Sequence, residues 1–311
     1  MALQFSMNPS ENITAVVLAG GFGTRIKHLL GNLPKPMLPV CGHPFLEWVV
    51  RYLAAQKIRR AILSTGYRAE TVEKHFASQP VADVRVNCVP ETQPLGTAGG
   101  FLNAIRRENS PQNPRIESPN AEFARSFSQN SLRPPAVPSP LPSDGRGEGQ
   151  GLSGRSFRAQ ADEARVHGEE QTPDAWLVLN GDSLALASLD GMFRQLEDAK
   201  VEGAILGLRV ADASRYGTIA KNSAGELVGF KEKKPGAGII NAGVYLIRDA
   251  VLKKFPARTP LSFETDVFPA LIAGQARLKV CEVAAPFLDI GTPESLARAE
   301  KFINENKKQF G

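Results

Sequence analysis

Residues Ile13-Thr-Ala-Val-Val-Leu-Ala-Gly-Gly-Phe-Gly-Thr-Arg25 decide the fold class. The apolar, β-branched run 13–18 reads as a buried strand. Ala19-Gly-Gly-Phe-Gly-Thr-Arg25 reads as a glycine loop leaving it. Glycines let backbone N–H groups approach phosphate oxygens, and Arg25 adds a planar, permanently charged fork. The loop lacks the terminal Gly-Lys-Ser/Thr of a P-loop and the third glycine of a dinucleotide fingerprint. Alone it would be read as a tight turn with a surface arginine. Ten residues on, Lys35 stands between Pro34 and Pro36. Both prolines restrict the backbone, and Pro36 biases Lys35 toward an extended conformation. A stiffened loop aims a cation, so Arg25 and Lys35 together read as a triphosphate clamp.

Outward from this loop the pattern alternates. Residues 45–56 carry Phe45, Val49, Tyr52 and Leu53 at helical spacing. Strands are expected at 60–65 and 84–89, and helices at 69–77 and 97–107. Strands and helices alternating at short spacing argue for a parallel α/β sheet. From 109 to 173 the sustained apolar period is lost, and the segment holds Arg133-Pro-Pro-Ala-Val-Pro-Ser-Pro-Leu-Pro-Ser and Asp144-Gly-Arg-Gly-Glu-Gly-Gln-Gly. It cannot bury enough apolar surface to offset its ordering entropy, and is expected to be a disordered insertion. Closure cost grows only logarithmically with length, so one domain tolerates it. Order is expected again in a strand ending at Asn180-Gly-Asp182, then a helix at 189–199 and a strand at 203–210. Further strands are expected at 216–220, 227–231, 239–247 and 279–283, with helices at 262–273 and 293–305.

Of the 311 residues, 42% are hydrophobic and 22% charged, which excludes a wholly disordered chain and a small disulfide scaffold. No run approaches a membrane span, and residues 1–14 carry no secretory pattern. Cys41, Cys88 and Cys281 are odd in number and far apart, as expected of reduced thiols in a cytoplasmic protein. The net charge of +5 comes with only 7% aromatics and scattered basic residues. That favours a basic pocket for a polyanionic small ligand over a nucleic-acid surface.

Leu18-Ala-Gly-Gly-Phe-Gly-Thr-Arg25 followed by Pro34-Lys-Pro-Met37 resembles the signature of the sugar-1-phosphate nucleotidyltransferases. The resemblance runs from about residue 13 to 302, interrupted by the insertion. It implies an α/β, Rossmann-like nucleotidyltransferase fold: a mixed, mostly parallel central sheet flanked by helices, residues 1–311 forming one domain around the insertion. It implies transfer of a nucleoside monophosphate from an NTP to a sugar 1-phosphate, with release of pyrophosphate and with Mg²⁺ as cofactor. By this resemblance Ala19, Gly20, Gly21, Gly23 and Thr24 bind the nucleotide, joined by Gln93, Gly96 and Thr97 of Glu91-Thr-Gln-Pro-Leu-Gly-Thr-Ala-Gly-Gly100. Thr97 also suits a helix N-cap. Arg25 and Lys35 are the implied catalytic cations. Asp182 and the Asp289 of Phe287-Leu-Asp-Ile-Gly-Thr-Pro-Glu294 are the implied metal ligands. Gly217, Glu232, Lys233 and Asn241 are the implied sugar-phosphate residues. Leu33-Pro-Lys-Pro-Met, Ser214-Arg-Tyr-Gly, Gly229-Phe-Lys-Glu-Lys-Lys and Leu261-Ser-Phe-Glu-Thr-Asp look most like the members that use GTP and D-glycero-α-D-manno-heptose 1-phosphate. Uridylyl and thymidylyl relatives share the same core. A non-catalytic sugar-nucleotide sensor would be favoured by loss of Arg25, Lys35 or either aspartate, and all four are present. No nucleic-acid or membrane partner is expected, and the oligomeric state, homo-oligomers included, is left open.

Overall fold

A computed structural model of the chain describes residues 12–21, 26, 30–108, 173–231 and 235–311. Gly23, Thr24, Arg25, Glu232, Lys233 and the insertion, apart from Pro173, lie outside the described residues.

The opening apolar run forms β1 (Ile13–Ala19), buried along nearly its whole length. β1 pairs in parallel with β4 (Arg60–Thr65) on one side and β6 (Ala175–Asn180) on the other. β5 (Arg85–Pro90) extends the sheet in parallel beyond β4. Beyond β6 the sheet turns antiparallel through the long β11 (Gly238–Arg248), which also pairs with β8 (Gly203–Val210). β12 (Leu278–Val283) lies parallel to β8, and the hairpin β9 (Thr218–Lys221) and β10 (Leu227–Lys231) joins β11 near Ile240. Two short ladders lie off this sheet: β2 (Pro39–Val40) with β3 (His43–Pro44), and β7 (Ser183–Ala185) with β13 (Phe287–Asp289). The sheet is thus mixed and mostly parallel on its N-terminal side, as expected.

Because side chains alternate along a strand, successive residues feed opposite layers. Ala15, Val17, Leu177 and Leu179 enter one core with helices α1 (Phe45–Ala55) and α2 (Ala69–Ser78). Val16, Trp176 and Val178 enter the other, with α3 (Thr97–Glu108). α4 (Asp190–Gln195) packs in the first layer and α5 (Phe268–Ala273) in the second. Helix α1 is buried on more sides than an amphipathic stripe, since Trp48 also packs on Phe310 near the C-terminus, with centroids 5.1 Å apart.

Several element ends shift by one or two residues, and three features depart further from expectation. The helix expected at 189–199 ends at Gln195, because the Arg248 guanidinium binds the carbonyls of Leu196 (2.5 Å) and Val201 (2.7 Å), pulling them out of helical register. The expected C-terminal helix is two helices, α6 (Pro293–Leu296) and α7 (Ala299–Glu305). A tight Arg298 N–H to Ser295 carbonyl bond breaks the run between them. Lys35 opens a single 3₁₀ turn rather than an extended segment. The Met37 and Leu38 N–H groups bond to the Pro34 and Lys35 carbonyls, and Pro36 occupies a position that needs no donor.

Glu47 on α1 is a buried carboxylate. Arg51 donates to Oε1 from Nε (2.9 Å) and Nη2 (2.7 Å), His75 Nε2 lies 2.8 Å from Oε2, and His43 Nδ1 lies 2.9 Å from Oε1. Burial alone would raise its pKa, but the bonds from Arg51 and His75 and the nearby charges outweigh it and hold the carboxyl below its ordinary range. A depressed folded-state pKa stabilises the fold fully above the unfolded value of about 4.3 and loses that contribution as pH falls through the folded value. Glu47→Gln should cost roughly 2–3 kcal/mol at neutral pH and flatten the stability profile below about pH 4.5. Urea titrations between pH 3.5 and 7 test this. An unchanged slope at the acid end would show that other carboxylates govern it.

Candidate active site

The chain visits β1, then β4 and β5 on one side, and returns to β6 on the other. The space between the carboxyl ends of β1 and β6 is therefore the topological switch point, where open α/β sheets place ligands. A cavity of about 350 Å³ opens there. Ala19, Gly20 and Gly21 enter it from β1, Lys35 and Pro36 from the 3₁₀ turn, and Asn180 and Asp182 from the turn after β6. Glu91, Pro94, Leu95, Gly96 and Thr97 line its remaining wall. Of the expected nucleotide residues, Ala19, Gly20, Gly21, Gly96 and Thr97 are brought together, while Gln93 is exposed and is not among the lining residues.

Glu91 was not singled out from sequence, yet its side chain holds a constrained place. A Cβ at Gly20 would lie 2.6 Å, and one at Gly100 2.5 Å, from Glu91 Oε1, so the carboxylate fits because both residues lack side chains. Ser64 Oγ donates to that oxygen at 2.8 Å. Burial raises the Glu91 carboxyl above its usual range, opposed by the Ser64 bond and the Leu95 backbone. The available signal was a carboxylate one residue beyond a parallel strand's carboxyl end. Thr97 likewise departs from the capping expectation: it is the first residue of α3, and its hydroxyl accepts from the Phe263 N–H at 2.9 Å.

Lys35 Nζ lies 2.6 Å from Asp182 Oδ2, with the lysine side chain 10% and the aspartate 41% exposed. Asp289 ends β13 opposite Ser183, and the Ile290 N–H donates to the Asp182 carbonyl at 3.0 Å, so the two aspartates come from paired segments. One Asp289 oxygen accepts from the Gly291 N–H at 2.6 Å. Among the described residues no group of three or more His, Cys, Asp or Glu could hold a metal ion. Two carboxylates are nevertheless a fitting donor set for a hard cation that keeps several waters and takes phosphate oxygens, as Mg²⁺ does. Asp182 lines the cavity, whereas Asp289 is not among its lining residues.

The sugar-side candidates Gly217 and Asn241 are neighbours, since the Asn241 N–H reaches the Gly217 carbonyl at 3.4 Å. Gly243, two residues on, holds φ at +71°, and a Cβ there would run into the Asn180 side chain at the cavity. Neither described histidine, His43 or His75, lines the cavity. Burial pushes the Cys88 thiol up to about 12 and the Cys281 thiol to about 11, so neither is a nucleophile at neutral pH. Among the described residues no helix is long and apolar enough to cross a membrane.

The chain matches the nucleotidyl transferase family over residues 14–112 and 156–306. It is 27% identical over 292 residues to a mannose-1-phosphate guanylyltransferase of Mycobacterium tuberculosis, covering 93% of this chain and 64% of that protein. It is 26% identical over 288 residues to the D-glycero-alpha-D-manno-heptose 1-phosphate guanylyltransferase of Aneurinibacillus thermoaerophilus, covering 92% of this chain and 96% of the relative. Among solved structures, HddC from Yersinia pseudotuberculosis superposes with a TM-score of 0.63 at 26% identity, covering 93% of this chain and 98% of that one. Its complex with GMP-PN gives 0.60.

Proposed function

Because the chain belongs to the nucleotidyl transferase family, we propose that it transfers GMP from GTP to a manno-configured sugar 1-phosphate, D-glycero-α-D-manno-heptose 1-phosphate first among them, releasing pyrophosphate. The observation that carries this reading is the cavity where a glycine-bordered strand end, the Lys35 ammonium and the Asp182 carboxylate meet. The attacking sugar phosphate oxygen is already anionic at neutral pH, so no general base is required, and no described histidine lines the cavity. The obstacle is bringing one polyanion to another, which positioning and charge neutralisation must overcome.

Lys35 is proposed to leave Asp182 for the phosphates undergoing transfer, and the glycine loop to offer backbone N–H groups to the triphosphate. Asp182 and Asp289 would hold Mg²⁺, whose charge would screen the repulsion between the two substrates. Arg25, Gly23 and Thr24 are proposed to complete the triphosphate cradle, with Glu232 and Lys233 joining Gly217 and Asn241 around the sugar phosphate. Glu91 supports the choice of base. A carboxylate only accepts hydrogen bonds when ionised. Guanine offers adjacent N1–H and N2 amino donors, whereas thymine and uracil present one donor between two carbonyls. Soluble enzyme in the cytoplasm, where nucleotide sugars are assembled from NTPs, is the setting this reaction suits.

The test is pyrophosphate release across four NTPs and a panel of hexose and heptose 1-phosphates that includes mannose 1-phosphate. GTP with a manno-configured acceptor is the expected pair, and another pair would overturn the base or sugar assignment. Glu91→Gln in the same panel should erode the preference for GTP by roughly 10- to 100-fold, because its amide turns one acceptor into a donor. Preserved GTP preference in that variant would show that guanine is read elsewhere.

A further inference from the structure

One side-chain network links the two walls of the cavity. On the wall that Glu91 to Thr97 form, Thr97 Oγ1 donates to Glu264 Oε2 at 3.2 Å. Ser262 Oγ donates to the same oxygen at 2.8 Å, and Tyr245 OH donates to Glu264 Oε1 at 2.8 Å. Asn241 Nδ2 then donates to the Tyr245 hydroxyl at 2.9 Å, and Asn241 Oδ1 accepts from the Gly243 N–H at 2.9 Å. Gly243 is the residue at which an added Cβ would run into the side chain of Asn180, which lines the cavity. Glu264 sits in a π-helical turn, Phe263–Val267, a wide turn that recurs at functional sites.

The network fixes the chemistry of its centre. Ser262 Oγ already accepts from the Glu264 and Thr265 N–H groups, Thr97 Oγ1 from Phe263, and the Tyr245 hydroxyl from Asn241. All three hydroxyls therefore have their protons to give, and an ionised carboxylate, with four lone-pair directions and no donor, takes them all. A glutamine in its place would turn an N–H₂ either toward Ser262 and Thr97 or toward Tyr245, so at least one hydroxyl would lose its acceptor. Such a network is rigid when every member is satisfied. As pure stabilisation it is a poor choice, since apolar packing of the same volume does as well or better.

Resting on the proposed transfer reaction, we infer that Glu264 is a positioning residue: through Thr97 and Tyr245 it fixes the separation between the nucleotide wall and the sugar wall. Attack of one bound phosphate on another depends on that separation, and a displacement of about 1 Å costs on the order of 100-fold in rate. Binding of either substrate alone makes no such demand.

Tyr245→Phe isolates the effect. It keeps the ring contacts with Phe263 and Phe268 and removes the hydroxyl that joins Glu264 to Asn241. Turnover, the KM of each substrate and the calorimetric Kd of GTP alone would be measured for the unaltered chain, Tyr245→Phe, Glu264→Gln and the double variant. The expected result is kcat lowered roughly 10- to 100-fold in each variant, with the Kd of GTP changed less than about 2-fold. The double variant should be no slower than Glu264→Gln, because both break one linkage. A kcat unchanged in folded Tyr245→Phe, or additive losses in the double variant, would overturn the inference and leave Glu264 a structural group. Absence of turnover in the unaltered chain would overturn the proposed activity, and this inference with it.

Discussion

Asp182→Asn should lower kcat by roughly 10²–10³-fold while leaving the fold intact. The substitution keeps shape and removes charge. The Lys35–Asp182 pair is short, but the aspartate side chain is 41% exposed. The Lys35 side chain is only 10% exposed, so leaving it without a partner costs about 1–3 kcal/mol, short of unfolding the chain. Urea titration of the variant separates that cost from the loss of turnover. In the proposed reaction the lost carboxylate charge is a ligand for the cation between two polyanions, and no described neighbour replaces it. Lys35, released from its partner, stays free to meet phosphate. Binding of GTP without divalent cation should then be no weaker than in the unaltered chain, and calorimetry in EDTA measures it. Turnover within a few-fold of the unaltered chain would remove Asp182 from the machinery.

Gly96→Ala should have the largest effect on stability. Gly96 holds φ at +78°, a left-handed conformation that costs a residue with a side chain about 1–2 kcal/mol. A Cβ there would also lie 2.5 Å from the Leu261 carbonyl oxygen and 3.0 Å from the Leu261 nitrogen. That obstacle is backbone, and it is held: the Leu261 carbonyl accepts from Ala98 (2.9 Å) and Gly99 (3.0 Å), and its N–H donates to Leu95 at 2.8 Å. Relieving the clash means breaking these bonds, so the loss should reach about 3 kcal/mol or more and lower Tm by roughly 6–12 °C. Gly21→Ala is the control, since a Cβ there meets nothing within 4 Å. Equal melting of the two variants would show that the loop is not braced on Leu261.

Much of this architecture was legible in the sequence because it rests on patterns longer than one element. The apolar run before the first glycine loop could be little but a buried strand, and 60–65, 203–210 and 227–231 are strands at the expected bounds. The two-residue β2 and β3 and the three-residue β7 and β13 were not, since so few residues carry no alternation and exist only through their partners. The early end of α4 was hidden for a similar reason: Arg248, which takes its terminal carbonyl, lies 52 residues away. At the site, residue types pointed to the strand ends and to Lys35 and Asp182, which the structure sets 2.6 Å apart. Which side chain of Glu91-Thr-Gln93 turns inward was not readable, because it depends on two glycines, Gly20 and Gly100, leaving room from opposite sides.

The position of β1 between β4 and β6 also constrains how the molecule is made. A ribosome delivers β1, β4 and β5 with their helices first, and these can assemble from local units. The other edge of β1 must then wait for β6, roughly 160 residues later, which at about 5–20 residues per second is on the order of 10–30 s. For that interval a strand apolar at every residue but Thr14 presents an unpaired edge, a template for wrong pairing with another nascent chain. The same strand that brings the two halves of the cavity together is thus the point at which newborn copies most need a chaperone's cover.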